Sequence, residues 1–442
     1  MKRVLWICNI MLPAIAEELN LPYSNREGWL SGIFQQLTKE SAVQTDAEGI
    51  YLGVSFPMGS WQEAPVLERV GAFQVKGVPC YAFLEDLDHP EIYDPSMEGR
   101  FAEILADFKP DIIHIFGTEF PHALAAVRTF HKPERTLIGI QGLCGEIAKV
   151  YMADLPQRVQ EQVTFRDLIR KDSIRQQQEK FVQRGRREAE IVMGCGNITG
   201  RTRFDREGTA KINPKARYFP MNETMRKEFY TGCWKLSLCE EHSIFLGQGD
   251  YPLKGMHFLL EAMALLAPQY PDLKLYVAGN SVIENKTLKE KIKLPAYGKY
   301  LLSLMKEHDL ADRVIMLGKL TAEEMKKQFL KSSVFVCPSV LENSPNTIGE
   351  AMLLGVPVAA SMAGGIPDMI TDGQDGLLFE TGNVEALAQA IRLLWDRSKK
   401  EDGLCLAQRI SEKAVRRAKA VHDGEKNYQK LLEIYEEIEE RA

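Results

Sequence analysis

The residues with the clearest chemical potential lie between positions 334 and 358, where two carboxylates, Glu342 and Glu350, stand with seven residues between them. An apolar run at 334–337 precedes them. The spacing predicts a helix after the loop: Ser344 suits the N-cap, Pro345 the first helical position, and Gly355 the position just past the end, before Pro357. Such a helix leaves the N–H groups of Asn346 and Thr347 free at its start, where an anion such as a pyrophosphate is favoured. Glu350, further along, could accept hydrogen bonds from vicinal hydroxyls such as those of a ribose, and Glu342 could do the same for the hydroxyls of a sugar. Taken alone, the pattern describes a capped surface helix with two solvated glutamates. Its neighbours in sequence give it more weight.

Downstream, Ala363-Gly364-Gly365-Ile366-Pro367-Asp368 is a second glycine turn of the kind that lets backbone approach a ligand, with Asp372-Gly373 and Asp375-Gly376 following. Upstream, Gly247-Gln248-Gly249 leads through Tyr251 and Pro252 to Lys254-Gly255, which places a lysine beyond an apolar run as a point charge for phosphate. Each has a plain reading as well, an ordinary strand-to-helix turn and a surface lysine.

These motifs need strands to carry them. Short apolar runs at 4–8, 49–54, 112–116, 137–140 and 191–193, and again at 243–246, 273–278, 314–317, 334–337 and 356–360, alternate with helix-compatible sequence. They predict buried parallel strands in two successive doubly wound sheets. The expected division is a domain over 1–220, a second over 221–400 and a charged helical segment over 401–442, with a linker near 220–240.

The chain has 442 residues, with 61 acidic residues against 55 Lys and Arg and a net charge of -6. Hydrophobic residues make up 45% and charged residues 26%, an ordinary globular composition rather than a disordered, collagenous or coiled-coil one. The acidic balance argues against a dedicated nucleic-acid binder. Eight scattered Cys with no CxxC pair read as free thiols in a reducing compartment. The start, Met1-Lys2-Arg3 and then apolar residues, has the outline of a signal peptide, but Asn9 interrupts it and a first buried strand explains it; the expected location is cytoplasmic. Residues 157–188 hold nine Lys or Arg against five acids, so a solvated helical face or a peripheral contact with the inner face of a membrane are both open.

The run from 334 to 378, with its E-x7-E, its Gly355-Val356-Pro357-Val358 and its GG-IPD turn, resembles the donor-binding half of glycosyltransferase family 4. The likeness is strong over about 243–380 and weaker upstream. It implies a GT-B fold, an α/β architecture of two Rossmann-like doubly wound domains facing across a cleft, with the helical segment 401–442 packing back on the N-terminal domain. It also implies a retaining transfer of a sugar from a nucleotide diphosphate sugar, a UDP-sugar ahead of a GDP-sugar, to a hydroxyl of a saccharide or lipid-linked saccharide. No metal or other cofactor is implied.

By that resemblance Glu350 holds the ribose, Glu342 the donor sugar, and Lys254 with the backbone around Ser344, Asn346 and Thr347 the diphosphate. Gln248 stands where the family usually has an arginine, so Arg201 is the candidate replacement, unless it pairs with Asp205. Gly32, in Gly28-Trp29-Leu30-Ser31-Gly32, falls where the family has a glycine turn facing the donor, and His114 matches a cleft histidine that is catalytic by the resemblance, although a buried structural role reads the same. Glu119 and His122 could approach the acceptor. Two rivals stay open: a metal-dependent GT-A-type transferase using Asp86 and Asp88, and a non-catalytic two-lobed sugar-binding protein.

Overall fold

A computed structural model describes residues 1–21, 28–41, 49–60, 62 and 72–441. The chain forms two compact units. The first comprises residues 1–146, 181–226 and 422–442, and the second 147–180 and 227–421. This division differs from the expected one in two places: a segment inside the first half belongs to the second unit, and only the last of the C-terminal helices returns to the first.

The first unit is built on eight strands: β1 (Lys2–Ile7), β2 (Ile50–Met58), β3 (Phe73–Val75), β4 (Val78–Leu84), β5 (Ile112–Phe116), β6 (Thr136–Gly139), β7 (Asn197–Gly200) and β8 (Arg217–Pro220). Their order across the sheet is β3-β4-β2-β1-β5-β6-β7-β8, parallel except for the edge hairpin β3–β4. The middle strands are buried on both faces, which is why they read as unbroken apolar runs rather than as alternation. Residues 191–193, expected as a strand, instead end the helix Ile174–Met193; Ile191 and Val192 lie on its buried face, and the strand comes after Gly194-Cys195-Gly196 as β7. Short apolar runs cannot be told apart by periodicity alone. The helix Gly424–Glu439 closes this unit by burying Tyr428, Leu431, Ile434, Tyr435 and Ile438 in the same core cluster as Val4, Trp6 and Phe56.

The second unit has six parallel strands, β9 (Glu240–Leu246), β10 (Lys274–Ala278), β11 (Val314–Gly318), β12 (Ser332–Cys337), β13 (Val358–Ser361) and β14 (Leu377–Phe379), in the order β11-β10-β9-β12-β13-β14. Numbered within the unit this is 3-2-1-4-5-6, the Rossmann order, and the direction of winding reverses between β9 and β12. Segment 147–180 is tied to this unit by His257, whose Nε2–H donates to the Ala153 carbonyl at 2.9 Å, and by Asp167, which accepts from the Ala296 N–H at 3.0 Å. His257 is buried, and burial depresses its pKa to about 4.

Candidate active site

In an open parallel sheet, ligands gather outside the carboxyl ends of the strands where the winding reverses. Here those ends belong to β9 and β12, and the loops that follow them carry Lys254 and Glu342. Lys254 Nζ donates to Glu342 Oε1 at 2.6 Å, and the same oxygen accepts from Ser339 Oγ at 2.8 Å. Burial works against the lysine's charge, but the Glu342 carboxylate and Tyr251 outweigh it and hold its pKa above the ordinary value. Lys254 is therefore a fixed cation.

The backbone around this pair is clamped. The Val340 N–H donates to the Leu253 carbonyl at 2.8 Å, joining the two loops, and Gly365 N–H donates to the Glu342 carbonyl at 2.9 Å, joining a third from the end of β13. Gly255 and Gly364 make these approaches possible. Both have positive φ, and a Cβ would lie 1.9 Å from the Pro338 carbonyl oxygen at the first and 2.0 Å from the Glu342 carbonyl oxygen at the second. Three sequence-distant turns thus meet around Glu342.

The helix that follows β12 runs Asn346–Leu354 and ends at Gly355 in the left-handed conformation. It begins one residue later than expected: Pro345 occupies the N-cap with no side-chain cap, and Ser344 lies just outside. Proline has no N–H to lose and fixes φ, so it seats as readily at this boundary as inside it. The N–H groups of Asn346 and Thr347 are left to the helix end, and the Ser344 hydroxyl is buried with no hydrogen-bond partner among the described residues. Thr347 also touches the β9 loop, since a Cβ on Gly247 would sit 3.3 Å from its Cγ2. Glu350, at 2% exposure, is buried within this helix. The unit therefore brings together Lys254, Glu342, Ser344, Asn346 and Thr347, with Glu350 on the same helix.

Gln248 lies on the adjoining loop, but its Nε2 donates to Asp250 Oδ1 at 2.8 Å, and Asn280 donates to the other oxygen of Asp250. Its amide is engaged with Asp250, and it supplies no charge in place of an arginine.

The remaining candidates lie in the first unit. Arg201 is buried and ion-paired through its guanidinium with Glu223, and Asp205 accepts only its backbone N–H, at 2.9 Å. Burial lowers its pKa to about 10. Gly32 stands inside the helix Gly28–Ser41 rather than in a turn, with Thr224 3.2 Å from where its Cβ would be; residues 22–27 lie outside the described residues. His114 is fully buried on β5. Its Nδ1 is 2.8 Å from the Tyr435 hydroxyl, which also accepts from Trp6 Nε1–H at 2.8 Å, and burial depresses the imidazole to about pKa 3. His122 is a core residue, paired with buried Glu85 at 2.8 Å, and not an exposed loop group. Asp86 accepts from the N–H groups of Asp88 and His89 and pairs with the His89 ring, so its carboxylate serves an exposed turn. Sequence reasoning missed Ser339, Tyr251 and Glu223, and also Thr199, which lies at the end of β7 beside His114 and Arg201. Ser339 was within reach, three residues before Glu342, but nothing in sequence marks Thr199 once β7 is misplaced.

Residues 240–397 match the family model described as glycosyl transferases group 1. The chain is 40% identical over 91 residues to the sulfoquinovosyl transferase SQD2 of Arabidopsis thaliana, covering 20% of this chain and 18% of that protein. It is 27% identical over 193 residues to the D-inositol 3-phosphate glycosyltransferase of Corynebacterium urealyticum, covering 42% and 41%. The matched segments thus span less than half of these relatives.

Among solved structures, sucrose-phosphate synthase from Thermosynechococcus elongatus superposes with a TM-score of 0.68 at 16% identity, covering 100% of both chains. Anabaena HepE in complex with UDP and glucose superposes at 0.64 and 14%, covering 99% of this chain and 100% of HepE. The fold of this chain is that of the GT-B glycosyltransferases, with two parallel-sheet α/β domains.

Proposed function

We propose that the chain is a retaining glycosyltransferase that takes a sugar from a nucleotide diphosphate sugar, with UDP favoured as the nucleotide, and passes it to a hydroxyl of a saccharide or lipid-linked saccharide without a metal ion. The observation that carries this reading is the meeting of Lys254, Glu342 and an uncapped helix N-terminus at the winding reversal of the second unit, inside the segment that matches glycosyl transferases group 1. In this reading the bond between the anomeric carbon and the phosphate oxygen breaks and its electron pair leaves with the diphosphate. The acceptor oxygen bonds to the anomeric carbon on the same face, and its proton passes to a leaving phosphate oxygen. Negative charge grows on the diphosphate, where Lys254, the N–H groups of Asn346 and Thr347 and the Ser344 hydroxyl stabilise it more in the transition state than before. Glu342 orients both the lysine and the donor sugar, and Glu350 accepts from the ribose. HepE, whose structure holds UDP and glucose, supports a uridine nucleotide as the first to test.

The test is a thermal-shift and product-release screen against UDP-, GDP- and ADP-sugars, with and without EDTA, repeated on Glu350→Ala. Stabilisation by one nucleotide sugar, unaffected by EDTA and weakened about tenfold or more in the variant, is expected for loss of charged hydrogen bonds. No response to any nucleotide sugar overturns the reading; dependence on a divalent ion overturns its metal independence.

A peripheral membrane contact is the second part of the proposal. Val163, Phe165, Leu168 and Ile169 are each more than half exposed on and beside the short helix Phe165–Arg170, next to exposed Arg170 and Lys171. Apolar side chains beside basic ones suit an anionic lipid surface. Among the described residues no helix is long and apolar enough to cross a membrane.

A further inference from the structure

A second group of polar side chains, wholly within the first unit, surrounds a pocket at the carboxyl ends of β5 to β8. His114, Thr199, Arg201 and Glu223 line it together with Phe116, Met221 and Gly139. The pocket is small, with space for about one water-sized group. Four buried polar atoms around it, His114 Nε2, Thr199 Oγ1, Arg201 Nε and Glu223 Oε2, have no hydrogen-bond partner among the described residues. Such groups cost free energy when left unsatisfied, about 1–3 kcal/mol each, so a cluster of them marks a place that a polar group fills.

Their roles can be assigned. Tyr435 accepts from the Trp6 N–H and has one proton to give, and among the described residues its one other hydrogen-bond neighbour is His114 Nδ1. The proton therefore points to Nδ1, which leaves Nε2 as the protonated nitrogen of a neutral ring. The pocket then presents donors at His114 Nε2 and Arg201 Nε, an acceptor at Glu223 Oε2, and a hydroxyl at Thr199 that can do either. The charge of Arg201 is already matched by Glu223. A phosphate or carboxylate can only accept and would face the Glu223 oxygen; an ammonium can only donate and would face two donors. A hydroxyl does both. Phe116 and Met221 supply apolar surface for the carbon that bears it.

We propose that this pocket seats a hydroxyl or hydroxymethyl group of an uncharged sugar or polyol. This deepens the transferase reading by naming the chemistry of a group in its acceptor, and it rests on that reading only for what happens to the bound molecule. The pocket itself supplies the test. At Gly139 an added Cβ would lie 3.4 Å from His114 Nε2, 3.5 Å from Thr199 and 3.6 Å from Phe116, ordinary contacts that the fold tolerates but that occupy the space. Saturation-transfer NMR on the full chain, with glycerol, glucose, galactose and N-acetylglucosamine and with glucose 6-phosphate as the charged counterpart, should show a neutral compound bound in preference to the phosphate.

In Gly139→Ala, and separately in the near-isosteric Thr199→Val, that binding should weaken roughly tenfold or more, about 1.4 kcal/mol, with thermal stability and nucleotide-sugar binding retained. Absence of neutral-compound binding, preference for the phosphate, or binding indifferent to both substitutions overturns the inference. If the neutral compound binds and is lost in the variants while no nucleotide sugar binds at all, the inference stands and the transferase reading falls.

Discussion

At the scale of single residues, Lys254 and Glu342 are a coupled pair, and their substitutions should separate charge from orientation. Lys254→Met removes the fixed cation that would face the leaving diphosphate, and kcat should fall about 10²-fold or more, read by steady-state nucleotide release. Glu342→Gln keeps a hydrogen-bond acceptor for Ser339 but loses the ion pair, so a smaller fall in kcat with a higher KM for donor is expected. His114 gives a stability signature. Its pKa is depressed from 6.5 to about 3 in the folded protein, so between those values the unfolded chain holds more protons. Stability contributed by the neutral ring is therefore present above about pH 6.5 and lost as pH falls below it, at about 1.4 kcal/mol per pH unit. Urea denaturation from pH 7 to 5 should show a shallower decline in His114→Asn than in the native chain. These residues were visible in sequence to different degrees. Glu342, Glu350 and Lys254 could be singled out because helix signals and glycine turns flank them, whereas the partner of Arg201 could not, because Glu223 comes to it from beyond the next strand.

At the scale of elements, the positions of the loops rest on glycines that no other residue can replace. Gly255→Ala and Gly364→Ala should each destabilise by more than about 2 kcal/mol, since the methyl group meets a carbonyl oxygen in addition to the left-handed backbone cost. Gly373, with φ of +69° and open space around it, is the control and should lose only about 1–2 kcal/mol as alanine. Chemical denaturation of the three variants decides this. The exposed turn of segment 147–180 makes a different prediction. Leu168→Ser with Ile169→Ser should leave stability nearly unchanged and reduce co-sedimentation with phosphatidylglycerol-containing vesicles several-fold, whereas unaltered sedimentation would remove the lipid contact. The capping box of Thr164 and Asp167 and the bond from the Ala296 N–H hold this turn in place, so its exposed apolar face is a fixed surface.

At the scale of the whole molecule, the C-terminal helix Gly424–Glu439 completes the core of the first unit, while the helix before it, Leu406–Val421, belongs to the second. Ending the chain at residue 421 should uncover Val4, Trp6 and Phe56 and abolish the Trp6–Tyr435–His114 chain. Calorimetry is expected to show the first unit's transition lowered or lost with the second unit's largely kept; a single unchanged transition would contradict it. The sequence by itself determined the class of the two large sheets, the five apolar strands of the second unit expected from their runs, and the helix that carries Glu350, because burial on both faces, proline and glycine leave local marks. It also held enough pattern to nominate Lys254, Glu342 and Glu350 as candidates for the proposed donor site. Tertiary structure alone decided that 191–193 is helix, that 147–180 joins the second unit, that Arg201 pairs with Glu223 and that Gly32 lies in a helix. Each of these turns on which distant residue covers a buried face or satisfies a buried charge, and that partner is set by packing rather than by neighbours along the chain.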